Sequence, residues 1–62
     1  MYEYYIISFQ NMKTGELKEY YQFTSPEDIE EKARDLRNRF FDKDDVIIIH
    51  IYREVKTIYD GE

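Results

Sequence analysis

The stretch VIIIHIY, residues 46–52, constrains this chain more than any other. It is β-branched or aromatic at all but one position, which makes it a strand. Side chains alternate across a strand, so Ile47, Ile49 and Ile51 point one way, and Val46, Ile48, His50 and Tyr52 the other. A sheet with one face in water shows polar residues at every second position. This strand does not, and the sheet that contains it has two faces to cover.

The chain supplies little with which to cover them. It has 62 residues, enough for one domain, residues 1–62. Chains of this size bury only about 60% of the surface they expose when unfolded. Small scaffolds commonly compensate with disulfides, a metal or a partner subunit. There is no cysteine and only one histidine, which excludes disulfides and thiolate metal sites. A partner subunit is the remaining device, and neither a cofactor nor a metal is expected.

The rest of the chain reads as two strands and a helix. Residues 2–10, YEYYIISFQ, and 16–24, ELKEYYQFT, are strand-like segments flanking NMKTG, residues 11–15, a five-residue loop whose glycine makes the pair a hairpin. In SPEDIEEKARDLRNRFF, Ser25 reads as an N-cap, Pro26 as the first helical residue and Asp28 as the capping-box acid. Ile29, Ala33, Leu36 and Phe40 form one apolar stripe. Acids crowd the first turns and arginines the last, in accord with the helix dipole. The helix is expected over 26–41, the loop DKDD over 42–45 and a third strand over 46–59, bent or frayed near Glu54. The fold class is therefore α+β: a three-stranded antiparallel sheet with one helix in ββαβ order, expected to dimerise.

One helix covers one sheet face. The expected core joins Tyr5, Ile7 and Phe9 to Leu17, Tyr21 and Phe23 and to Ile47, Ile49 and Ile51. The opposite set is Tyr4, Ile6, Tyr20, Ile48, His50 and Tyr52, with Val46 at the rim. Left open, that set would be a patch at the large end of what monomers tolerate, so it is the expected dimer interface. A slip of one residue in register exchanges the two faces of a strand.

Chemistry is sparse. His50 lacks a nucleophile or orienting carboxylate nearby in sequence; Glu54 is about 13 Å along the strand. Asp42, Lys43, Asp44 and Asp45 lack the frame of a calcium loop, and read as a solvated turn. Neither glycine opens a phosphate cradle, and Ser8 and Ser25 sit in no nucleophile elbow. Glu30 and Glu31 point to different helix faces. An enzyme is not expected. The longest apolar run is far short of the roughly 20 residues that span a bilayer, and residues 1–10 lack a signal-peptide pattern, so a cytoplasmic protein without membrane contact is expected.

The net charge is −5. That disfavours direct nucleic-acid binding, which wants a basic patch. Glu16, Glu19, Glu27, Asp28, Glu30 and Glu31, with Asp35, form an acidic array that could occupy a cationic cleft built for phosphates. Tyr20 and Tyr21 add rigid contact area. Solubility and dipole complementation account for many of the same acids.

The segments GELKEYYQFTSPEDIEE and DDVIIIHIYREV resemble parts of the uracil-DNA glycosylase inhibitors of small Bacillus phages. Tyr20, Tyr21, Phe23, Ser25, Asp28, Ile29 and Glu30 fall in the matching segments. The resemblance implies a ββαβ dimer that sets acidic edges and an apolar groove against an enzyme's DNA-binding face. The expected function is then a phage-like protein, in the host cytoplasm, that inhibits a host DNA-processing enzyme by DNA mimicry, uracil-DNA glycosylase among the candidates. The alternative is a non-inhibitory structural or accessory homodimer module. A small molecule bound on the second apolar face is a third expectation.

Overall fold

A computed structural model describes residues 1–54. The element order is β1 (Glu3–Asn11), β2 (Leu17–Thr24), α1 (Ile29–Phe40) and β3 (Ile47–Arg53). The three strands make one antiparallel sheet in the order β2-β1-β3, so the fold is α+β in ββαβ order, as the pattern of residues indicates. The expected extension of β3 to residue 59 runs into residues 55–62, outside those described.

β1 is the central strand and supplies the core. Tyr5, Ile7 and Phe9 are buried under the helix, with Ile7 and Phe9 at 0% exposure. Ile29 and Ala33 meet them from above, and Tyr20, Leu36, Phe41 and Ile47 close the margin. Phe9 is the hub. Its ring lies 5.6 Å from Tyr20 in an edge contact and 5.4 Å from Phe41. Phe40 does not complete the buried stripe: it is half exposed and stacks on Tyr20 at 5.5 Å.

The faces of β1 and β3 follow the sequence expectation, but β2 is turned over. Gln10 pairs with Leu17, so Tyr5, Ile7 and Phe9 lie opposite Gln22, Tyr20 and Lys18. Tyr20 is therefore on the helix side. Leu17, Tyr21 and Phe23, expected in the core, point away from the helix and are more than half exposed. The cause is loop length. A five-residue loop over 11–15 would set Gln10 opposite Glu16. Instead the Asn11 N–H donates to the Glu16 carbonyl (2.8 Å), and the Gly15 N–H donates to the Asn11 carbonyl (2.7 Å). Asn11 Oδ1 accepts from the backbone N–H groups of Lys13 and Thr14, and Gly15 takes φ +80°. The loop thus has four residues, and one residue fewer exchanges every side chain of β2 between faces.

The helix starts later than its first-turn residues suggest. Ser25–Asp28 is a β-turn, with the Asp28 N–H donating to the Ser25 carbonyl (3.0 Å) and Pro26 at the second position, where its fixed φ suits a turn. Ser25 Oγ donates to Asp28 Oδ2 (3.0 Å), so both side chains engage each other. Asp28, not Ser25, is the N-cap residue, and its side chain makes no capping hydrogen bond. At the other end Arg37 fastens the acidic loop. Its guanidinium donates to the carbonyls of Asp42 (3.0 Å) and Asp45 (2.7 Å), while Asp45 Oδ2 accepts from the Asp42 N–H (3.2 Å).

Candidate interaction face

The side of the sheet away from the helix carries a regular array of side chains, because directly paired residues share a face. Reading across β2, β1 and β3, the rows are Tyr21–Ile6–Tyr52, Glu19–Ser8–His50 and Leu17–Gln10–Ile48, with Phe23 beside Tyr4 beyond the first. Tyr2 extends the aromatic end: its ring is 5.4 Å from Phe23, which is 4.6 Å from Tyr4. The His50 and Tyr52 rings lie nearly parallel at 6.0 Å. Tyr21 is 63% exposed and Phe23 54%.

This face has the physical character of a contact surface. Aromatic rings in water expose large apolar area while losing little conformational freedom on contact, which is why they anchor interfaces. A patch of this kind on a chain of 62 residues marks a binding site or an association hazard. Of the residues expected at a dimer interface, Tyr4, Ile6, Ile48, His50 and Tyr52 lie together here. Tyr20 does not; Leu17, Tyr21 and Phe23 take its place.

The middle row sets a carboxylate, a hydroxyl and an imidazole side by side, which inspection of neighbours along the chain missed. Glu19 and Ser8 reach His50 only through strand pairing: the hairpin loop could have placed Glu19 opposite Ser8, but His50 joins them through the β1–β3 register, which no local turn sets. The order does not suit nucleophile activation. A relay needs the imidazole between hydroxyl and acid, whereas Ser8 occupies the middle. No hydrogen bond links the three among the described residues.

The expected acidic array divides between two layers. Glu19 is on the outer face and Glu16 closes the hairpin. Glu27 and Asp28 lie in the turn before the helix, and Glu30 and Glu31 in its first turn. Asp28, Glu31 and Asp35, with Lys32 among them, line a shallow depression of about 250 Å³ on one side of the helix. Among the described residues no cluster of three or more histidine, aspartate and glutamate side chains is placed to hold a metal ion. No described helix is long and apolar enough to cross a membrane.

Comparison with protein-family models, with curated proteins and with solved structures finds no match to this chain.

Proposed function

We propose that this chain is a non-catalytic binding protein, acting in the cytoplasm, that works through protein–protein contact at the outer face of its sheet. The observation that carries this reading is the exposure of Tyr4, Tyr21, Phe23, Ile48 and Tyr52 together on one face. A face-to-face pairing of two copies is one way of covering it, and an accessory homodimer module is the form of the protein that would result. The other form is an inhibitor of a DNA-processing enzyme such as uracil-DNA glycosylase. The grouping of Asp28, Glu31 and Asp35 on one side of the helix favours that second form, since the three carboxylates could meet a cationic cleft.

Affinity capture with three baits separates the readings: the parent chain, the outer-face variant Tyr21→Ser/Tyr52→Ser, and the helix variant Glu31→Gln/Asp35→Asn. Loss of the same protein from the outer-face bait alone supports the first reading. Loss from the helix bait alone, with capture falling as salt rises, supports the inhibitor. Identical capture by all three baits overturns both. Inhibition of uracil excision then decides whether the named enzyme is the target.

A further inference from the structure

The polar row across the middle of the outer face restricts what can cover it. In the rows Tyr21–Ile6–Tyr52, Glu19–Ser8–His50 and Leu17–Gln10–Ile48, with Phe23 and Tyr4 beyond, Glu19 is the one carboxylate, and no lysine or arginine stands among them. On the helix side of the strands, charges meet partners within the chain. Arg53 lies 3.4 Å from Glu3, and Lys18 Nζ lies 6.0 Å from the centre of the Phe41 ring. Glu19 is exposed and forms no ion pair among the described residues. Its carboxylate stands in water between an aromatic row and an aliphatic one.

An apolar surface laid over this face would carry that carboxylate out of water. An ion buried without a counter-charge is strongly disfavoured, so the occupant must bring a cation to the centre of its apolar contact. The net charge of −5 draws such an occupant from a distance. Two features select arginine over lysine. Glu19 and Tyr21 are alternate residues of β2 on one face, about 7 Å apart, and the Tyr21 ring is open to contact. A guanidinium can hydrogen-bond the carboxylate with its planar fork while its flat side rests on the phenol ring. An ammonium makes the ion pair as a point charge and has no flat side to stack.

We propose that the outer face docks a protein segment carrying one arginine between apolar side chains. The guanidinium pairs with Glu19 and stacks on Tyr21. The apolar neighbours lie over Ile6 and Tyr52 on one side and over Leu17 and Ile48 on the other. This rests on the reading of that face as a protein-contact surface and adds the chemistry of its partner.

NMR titration of the isotope-labelled chain with three synthetic peptides tests the proposal. The peptides alternate apolar and polar residues and differ only at the central position, which is arginine, norleucine or glutamate. The arginine peptide should shift the Glu19, Tyr21 and Tyr52 amides, and should bind about tenfold tighter than the glutamate peptide. Norleucine should fall between them. Glu19→Gln should remove most of that preference, and Glu19→Arg should reverse it. Asp44→Asn, which deletes the same charge from the solvated turn, should leave it unchanged.

Four results overturn the proposal. The first is equal binding of the three peptides. The second is a preference lowered as much by Asp44→Asn as by Glu19→Gln, which would make it a general attraction to an acidic chain. The third is a set of shifts confined to α1. The fourth is outer-face shifts that follow the concentration of the chain and not of the peptide, which would assign the face to a second copy. Tyr21→Ser/Tyr52→Ser separates the proposal from the reading beneath it. If that variant loses all three peptides while the parent chain shows no preference for arginine, the contact face stands and the arginine assignment falls. If no peptide moves the outer face, both fall. The comparison of peptides on the parent chain decides even if a variant fails to fold.

Discussion

The two sides of the sheet are built from similar residues and meet opposite fates. Under the helix, Tyr5, Ile7 and Phe9 are buried by Ile29 and Ala33 above and by the neighbouring strands at their flanks. On the other side Tyr4, Tyr21, Phe23 and Tyr52 are each about half exposed or more, because the described helix packs on the opposite face. Hydrophobicity at a strand position thus indicates only that the residue gains by leaving water. It does not identify the element that removes it. The one described helix covers one face, and the aromatic residues of the other stay exposed.

That contrast can be broken most directly at Phe9. Phe9→Ala empties the centre of the buried face, where such truncations cost about 3–5 kcal/mol. Against a total stability of about 5–15 kcal/mol for native proteins, and little core here to spare, thermal melts should show most or all of the cooperative transition lost.

Arg37→Ala should come next. It removes the charged hydrogen bonds that hold residues 42–45, the link that delivers β3 to the sheet. A loss of about 1–2 kcal/mol, discounted for the partial exposure of the site, should appear as a lower denaturation midpoint with the m-value unchanged.

Gly15→Ala probes the hairpin register that sends Tyr21 and Phe23 outward. A Cβ at this position would touch nothing, so the cost arises from φ +80° alone. About 1 kcal/mol is expected, read in chemical denaturation. A larger loss accompanied by changed shifts throughout β2 would indicate that the loop slips and the strand turns over.

The smallest effect on stability is expected where the exposed aromatic area is greatest. Tyr21→Ser should change unfolding free energy by no more than about 0.5 kcal/mol, the range of surface substitutions, while lowering partner capture. If Tyr21→Ser destabilised the chain as Phe9→Ala does, the outer face would have to be a second core.

The element order was legible because each element carries a local signature. Alternating β-branched and aromatic residues mark β1 and β2, an apolar stripe with sorted charges marks α1, and Asn11 and Gly15 mark the hairpin. The orientation of β2 was not legible, since it depends on whether its loop holds four or five residues. The side chain of Asn11 decides that by capping the backbone of Lys13 and Thr14. The grouping of Glu19, Ser8 and His50 was hidden because it needs two registers: the hairpin turn sets Glu19 opposite Ser8, and the β1–β3 pairing, reached only after the helix, sets His50 beside Ser8. Ser25 and Asp28 misled because a serine followed three residues later by an acid serves both a capped helix and a turn with the two side chains joined. Only packing distinguishes them.

What the residues determined alone is the excess of apolar surface: a sheet with apolar residues on both faces, a single amphipathic helix pattern and no cysteine. Composition and alternation fix those quantities wherever the chain folds. What tertiary structure decided is which aromatics make up the open face and which face the helix covers. Both follow from pairing and helix placement, and one residue in a turn is enough to exchange the two faces of β2.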